Sequence, residues 1–268
     1  MSPCFVPEAS RKADFINLMR LIIVFLRLLV RLFLLISAYL AYLAQLPLLV
    51  LGCKKSASLL SSVFSRQLLK SLGVNVVVKS NFDWSAQVNG YVHIYNHENP
   101  LDVFIIQGYL RLPSITTAGS HLGKILPFFD RCASNSGHIL LDHMDSESRR
   151  LSVLRSFELM SIYGQMIIAP NGSLVTSIYQ RASRSPQVIA RKFSTRIAPW
   201  VFRYGDVGLS RSDLYSPLAI LVKRLMAPEV EITCSLWEED LDLIPVSLPK
   251  NLFEPLVKDF YCSRRERC

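Results

Sequence analysis

The chain of 268 residues lacks the closely spaced cysteines that hold a metal ion or a redox disulfide. Zinc sites and redox motifs usually contain a Cys-x-x-Cys pair, and small secreted domains depend on a cysteine framework. The six cysteines of this chain are scattered instead, at Cys4, Cys53, Cys132, Cys234, Cys262 and Cys268. We therefore expect buried or free thiols in a reducing compartment and no metal site.

Two further absences exclude whole classes of function. No Gly-x-Ser-x-Gly segment occurs, so a serine hydrolase would have no place for its nucleophile. The net charge is +9, but the sequence has no zinc spacing, no aromatic RNA-binding signature and no concentrated basic helix. We therefore expect no nucleic-acid partner, and we attribute the positive charge to a surface that faces anionic lipid headgroups.

Half of the residues are hydrophobic, and the longest apolar stretch lies near the N-terminus. No charged residue occurs from Leu32 to Cys53, a stretch long enough to cross a bilayer as a helix at about 1.5 Å per residue. Before it, Arg20, Arg27 and Arg31 share one side of a helix, which is typical of an interfacial helix with its arginines at the headgroups.

We predict that residues 1–55 form a membrane anchor. A helical hairpin that enters one leaflet is favoured over a single span, because Pro47 and Gly52 offer places to kink or stop. Lys54 and Lys55 follow the apolar run, so basic residues flank it on both sides and do not choose an orientation.

Beyond residue 55, strand and helix patterns alternate, which is typical of an α/β domain over residues 56–268. The basic interval 176–196 has no clear period and is predicted to be rich in loops. Elsewhere the patterns predict strands near 74–79, 91–95, 115–118, 138–142, 165–169, 198–203 and 229–235, and helices near 56–72, 100–111, 146–162, 211–226 and 249–261.

The segment 96–102 reads Asn-His-Glu-Asn-Pro-Leu-Asp and connects a buried strand to a helix. Asn99 and Pro100 are typical of a helix start, with Asn as the N-cap and Pro at the first helical position. This places His97 at the end of the strand and Asp102 in the first helical turn, where its carboxylate can reach back to the imidazole. A histidine that a carboxylate orients in this way is equipped to act as a general base.

The His-x4-Asp spacing of His97 and Asp102 resembles the first motif of the glycerolipid (lysophospholipid) acyltransferase family. Three later segments follow in the family's order. Residues 137–143 are similar to its second motif, Gly-x-x-Phe-Ile-x-Arg. Residues 169–173 stand where the family has Phe-Pro-Glu-Gly-Thr, and residues 197–204 are similar to its fourth, proline-containing strand.

Within the family, residues 145–149, 203–204 and 230–232 look like the lysophosphatidylcholine acyltransferase branch. The resemblance implies an α/β fold, with a mixed central sheet flanked by helices and an apolar helical membrane anchor at the N-terminus. It also implies a location in the endoplasmic reticulum or a related endomembrane, with the catalytic domain facing the cytosol.

The resemblance implies the transfer of a fatty acyl group from acyl-CoA to the free hydroxyl of a lysophospholipid. His97 would be the general base, and Asp102 would orient its ring. Acyl-CoA is an activated co-substrate, so no cofactor, metal or ATP is expected. The partners implied are membrane lipids, acyl-CoA and the lysophospholipid acceptor.

The chain departs from the family where it usually holds the acceptor's phosphate. The Glu of the third motif is Asn171, the Arg that often follows is Leu174, and the Arg of the second motif is His143. The loss of two guanidinium groups argues against a bare phosphomonoester acceptor bound in the usual way. Backbone N–H groups at the third motif are expected to hold the oxyanion, and Arg149, Arg150 and Arg203 are expected to replace the missing charge. The expected substrate-binding residues are Gly137, His143, Asn171, Gly172, Ser173, Arg149 and Arg203.

A scaffold without catalytic activity is the alternative. The ancient ubiquitous protein family of lipid-droplet proteins has a similar apolar N-terminal hairpin and a similar Asn-His-x-x-Pro-x-Asp segment, with an altered third motif. This chain has no room for the ubiquitin-binding module that those proteins carry, which argues against that identity. A catalytically degenerate acyltransferase-like protein of the endoplasmic reticulum or lipid droplet stays open.

Overall fold

The structure of the protein is a computed structural model. It describes residues 8–81, 83, 90–97, 99–116, 126–140, 146–170, 183–205, 217–241 and 243–266. In chain order, the helices are α1 (Glu8–Val50), α2 (Lys54–Ser71), α3 (Asp102–Ile105), α4 (Phe129–Asn135), α5 (Ser146–Tyr163), α6 (Ser185–Phe193), α7 (Pro217–Met226) and α8 (Lys250–Glu266). A π-helical turn over Ile106–Leu110 extends α3, and a short 3₁₀ turn covers Glu238–Asp240.

Seven strands form one mixed sheet in the order β1-β7-β6-β2-β5-β3-β4. The pairs are parallel except β6 with β7, which run antiparallel. The strands are β1 (Val74–Ser80), β2 (Tyr91–Tyr95), β3 (Ser114–Thr116), β4 (His138–Leu140), β5 (Met166–Ile168), β6 (Arg196–Tyr204) and β7 (Val230–Leu236). Every strand overlaps one that the sequence predicts, so the α/β prediction with a mixed central sheet is confirmed.

Helices cover both faces of the sheet, so the central strands are buried on both sides. In β2, Tyr91 and Tyr95 join a core with α1, α2 and α3, whereas Val92 and Ile94 join a second core with α5, α6 and α8. Successive side chains of β2 thus point to opposite faces of the sheet, as they do in any strand. A strand flanked by helices on both faces reads as a continuous apolar run, which is how β2 appears in the sequence.

Helix α6 corrects the loop prediction over residues 185–193, and residues 176–182 of the predicted loop lie outside the described residues. Pro186 stands in its first turn, and the left-handed Ser194 follows its end. Ile189 and Ala190 are buried, with Phe193 packed against the same core. The apolar positions therefore have helical spacing, but over only nine residues and between charged neighbours.

Helix α1 is one continuous helix, where the sequence favoured a hairpin within the N-terminal segment. Residues 16–46 contain no Gly or Pro to bend the chain, and Pro47 falls in the last turn of the helix. By length and composition alone, Ile16–Val50 could cross a membrane, and its most apolar 18-residue window has a mean hydropathy of 2.6. Its C-terminal half packs against α2, with Ala38 and Tyr42 fully buried. The boundary between residues 1–55 and 56–268 stays a prediction.

Arg31 does not lie at a headgroup surface as the arginine stripe predicts. It is 3% exposed, and its guanidinium donates to the backbone oxygens of Arg224, Leu225 and Ala227 at the end of α7. The last carbonyls of a helix have no partner within the helix, so a cation is favourable there. The guanidinium also lies against Gly73, where an added Cβ would be 2.1 Å from it. Arg20 and Arg27 are exposed.

Candidate functional site

His97 and Asp102 are in contact, as the sequence predicts. His97 Nδ1 lies 2.8 Å from Asp102 Oδ2, and the Asp102 side chain is fully buried while that of His97 is 15% exposed. A carboxylate only accepts hydrogen bonds, so in the neutral imidazole Nδ1 carries the ring hydrogen and Nε2 has the lone pair. The ring is thereby fixed in the tautomer that a base requires.

The turn between β2 and α3 brings the carboxylate back to the ring. Asn99 Oδ1 accepts the N–H of Leu101 at 3.0 Å, and Asn99 O accepts the N–H of Asp102 at 3.1 Å. Asn99 therefore organises a turn by its side chain, as Asn commonly does. Helix α3 begins at Asp102, two residues later than the predicted start, and its first turn holds the carboxylate.

Tyr204 is a second partner of the carboxylate and is not among the site residues predicted from the sequence. Its hydroxyl donates to Asp102 Oδ1 at 2.7 Å and lies 3.2 Å from the backbone oxygen of Asn96. Each carboxylate oxygen of Asp102 thus receives a donor, His97 on one and Tyr204 on the other. This satisfies a charge buried away from water.

Asn96 fixes the end of β2 against β6. Its side-chain amide donates to Phe202 O at 2.7 Å and accepts from Phe202 N at 2.7 Å. The side chain of Asn96, the residue before His97, thus pairs with the backbone of the neighbouring strand β6. The ring of Tyr95 packs against the rings of His97 and Phe202, at centroid distances of 5.7 Å and 5.1 Å. The imidazole is therefore held by packing as well as by hydrogen bonds.

Two other described histidines are fully buried and differ from His97. Trp200 Nε1–H donates to His93 Nδ1 at 3.0 Å, and His93 Nε2 lies 3.3 Å from Gln165 Oε1, so both ring nitrogens are engaged. Burial lowers the pKa of His93 to about 4, and it lowers the pKa of His138 to about 4 as well. Neither is placed to exchange protons with a substrate near neutral pH.

The sheet topology places the carboxyl ends of β4 and β5 at the edge that carries His97. The carboxyl ends of parallel strands meet at the same edge, and β3, β4, β5 and β6 all run parallel to β2, which carries His97. The segments that follow β4 and β5 therefore start on the side of His97. Ligands of open α/β sheets typically bind at this edge. His143, Asn171, Gly172 and Ser173 belong to these segments and lie outside the described residues.

Among the residues whose side chains the structure describes, Gly137 and Arg203 are not brought into contact with His97. Gly137 precedes β4 at the opposite edge of the sheet, where its φ of +81° suits a turn that only Gly adopts readily. Arg203 neighbours Tyr204 on β6, and adjacent strand residues point to opposite faces. Arg149 lies on α5, and its side chain is outside the described part of the chain. Their binding roles stay predictions. The exposed Arg150 pairs with Glu147 at 2.6 Å.

Comparison with known proteins gives a family match and a fold match for this chain. Residues 75–203 match the acyltransferase family model. The matched stretch includes His97 and Asp102 and ends one residue before Tyr204.

The chain is also similar to the crystal structure of the 1-acyl-sn-glycerophosphate (LPA) acyltransferase PlsC from Thermotoga maritima, with a TM-score of 0.57 and 13% sequence identity. The similarity covers 92% of this chain and 98% of that chain. At this identity it shows the fold alone, a mixed sheet with helices on both sides. No curated protein matches the sequence.

Proposed function

We propose that the protein transfers a fatty acyl group from acyl-CoA to the free hydroxyl of a lysophospholipid, with His97 as the general base. The observation that carries this proposal is the chain of hydrogen bonds from His97 through Asp102 to Tyr204, at the ligand-binding edge of an acyltransferase fold. The match of residues 75–203 to the acyltransferase family model supports the same reaction class.

In the proposed reaction, His97 Nε2 takes the proton of the acceptor hydroxyl as its oxygen attacks the thioester carbonyl carbon. The tetrahedral intermediate then collapses, its carbon–sulfur bond breaks, and the thiolate of CoA leaves with the proton from the imidazolium. Asp102 stabilises the imidazolium and keeps the ring in place. Proton transfer of this kind contributes about 10²–10⁴-fold to a rate. Backbone N–H groups of residues 171–173 would hold the oxyanion, and this assignment rests on the family resemblance alone.

The altered motifs guide the choice of acceptor. His143, Asn171 and Leu174 replace residues that hold a phosphomonoester in the family. A neutral or zwitterionic headgroup needs fewer guanidinium contacts than a bare phosphate. We therefore favour a lysophospholipid with a substituted phosphate, such as lysophosphatidylcholine, over lysophosphatidate.

Membrane attachment through α1 is part of the proposal. From Ile16 to Val30 nearly every side chain of α1 is exposed, and the exposed set includes Phe25, Leu26 and Val30. An exposed apolar surface of this extent is unfavourable in water and suited to a lipid phase. We place the protein on the endoplasmic reticulum or a related endomembrane with the site facing the cytosol, in line with the family resemblance.

The test uses purified full-length protein, radiolabelled acyl-CoA and a panel of lysophospholipids with different headgroups. We expect acylated product with at least one acceptor. His97→Ala and Asp102→Asn should reduce it by about 10²-fold or more. The matched control is Asp130→Asn, which makes the same chemical change at an exposed position of α4.

A scaffold without catalytic activity is the competing function, because the third motif carries Asn171 in place of Glu. The same panel separates the two functions. If no acceptor yields a product that depends on His97, while the protein is folded by circular dichroism, the scaffold function replaces the proposed one.

A further inference from the structure

A polar cavity of about 200 Å³ lies between α2, the π-helical turn and the start of β4. Pockets that hold drug-sized ligands have about 300–1,000 Å³. This cavity therefore suits a compact group and is too small for a fatty acyl chain. Its polar lining comes chiefly from Lys55, Ser58, Gln107, Arg111, Ser136 and His138.

The cavity is separate from the candidate active site. Asp102 begins the helical segment that follows β2, and Arg111 comes nine residues later, so at about 1.5 Å per residue the two lie about 13 Å apart along that segment. His138 is the first residue of β4 and pairs in register with Ser114, the first residue of β3. The cavity thus lies at the amino edge of the sheet, and His97 lies at the carboxyl edge.

The charge around the cavity is positive. Lys55 and Arg111 are both exposed, and no carboxylate is among the described residues that line the cavity. Lys55 and Ser58 stand in the first turns of α2, an 18-residue helix with no acidic residue in its first turn. The N-terminus of a helix carries a partial positive charge and unpaired N–H groups, which favour an anion.

A buried imidazole nitrogen provides an independent indication of a ligand. His138 is 3% exposed, and its Nε2 has no hydrogen-bond partner among the residues that the structure describes. Its Nδ1 lies 2.6 Å from the hydroxyl oxygen of Ser114. With that hydroxyl donating to Nδ1, Nε2 carries the ring hydrogen and is an unused donor. A buried polar group without a partner is costly, and a ligand in the adjoining cavity would remove that cost.

We propose that this cavity binds a phosphate group, held by Lys55 and Arg111 at its mouth and by His138 at its wall. A lipid headgroup and a free phosphate ion share this chemistry. The surroundings favour the lipid, because Leu59 lines the cavity and is 54% exposed, while Val50 and Leu51 at the end of α1 are 74% and 73% exposed. A phospholipid could lay its acyl chains on this apolar surface and its phosphate in the cavity.

The test measures binding to detergent-solubilised full-length protein by titration calorimetry in a phosphate-free buffer. The two probes are inorganic phosphate and dihexanoyl phosphatidate. We expect both to bind, and the double variant Lys55→Gln, Arg111→Gln to lose about 100-fold in affinity, about ten-fold for each charge-assisted contact. The matched control is Lys70→Gln, which makes the same change at the far end of α2, away from the cavity.

The two probes identify the source of the phosphate. Binding of the phosphatidate at least about ten-fold tighter than inorganic phosphate assigns the site to a lipid headgroup, whereas equal affinities assign it to the free ion. The proposal is overturned if neither probe binds, or if the double variant binds as the control does. Since the cavity is separate from His97, His97→Ala should lose acyl transfer and keep phosphate binding.

Discussion

Tyr204→Phe is the most direct test of how the candidate site is held together. The change removes one hydroxyl and leaves the ring, which is partly buried and packs against the core. Asp102 then loses the donor on Oδ1, at 2.7 Å, and keeps His97 on Oδ2. A hydrogen bond to a charged group contributes about 1.5–3 kcal/mol, and about 1.4 kcal/mol corresponds to a factor of ten in rate. Because the carboxylate is fully buried, water does not simply replace the lost donor.

We expect kcat to fall by about ten- to hundred-fold with KM nearly unchanged, because Tyr204 contacts Asp102 and not the substrate. The assay is steady-state acyl transfer from acyl-CoA to the best acceptor of the panel. The control is Tyr42→Phe, which also removes a hydroxyl donor, here to Pro127 O, in a contact that includes no residue of the candidate site. If Tyr204→Phe keeps full kcat, or loses no more than Tyr42→Phe does, Tyr204 does not position Asp102.

Two further predictions concern stability. Gly73→Ala should lower the free energy of unfolding more than Gly52→Ala, by about 2 kcal/mol, since both have positive φ but only Gly73 faces the Arg31 guanidinium; equal losses in chemical unfolding would contradict that contact. The free energy of unfolding should also fall as pH drops from 6.5 towards 4, because His93 binds a proton in the unfolded chain and stays neutral when buried in the folded one. At pH 5 the loss from His93 is about 2 kcal/mol. His93→Gln should weaken the pH dependence of the melting temperature, and an unchanged dependence would refute the assignment.

The strands and most of the helices were predictable because each carries its own local pattern, whereas the short helices α4 and α6 were not predicted. The contact of His97 with Asp102 was predictable as well. Asn99 forms the connecting turn with its own side chain, so the information lies within six residues. The role of this pair in catalysis is a further step, which the spacing suggests and which activity measurements must test.

Other parts of the site depend on contacts that no local pattern records. Tyr204 and Phe202 meet Asp102 and Asn96 across more than a hundred residues, and which strand lies beside β2 is decided by the whole sheet. The sequence predicted the neighbouring Arg203 as a binding residue. Adjacent strand residues point to opposite faces, however, and it is Tyr204 that contacts Asp102. Arg31 shows the same limit, since an arginine on an apolar helix suits a lipid headgroup and a helix C-terminus equally well.

The burial of Arg31 has a consequence for where product accumulates. Because Arg31 ties α1 to the end of α7, only the part of α1 before it is clear of the folded domain. Residues 16–30 extend about 22 Å as a helix, whereas the hydrocarbon core of a bilayer is about 30 Å thick. An enzyme anchored by this segment would draw its acceptors from the monolayer on its own side. Newly acylated lipid would then enrich that monolayer until other proteins moved it across.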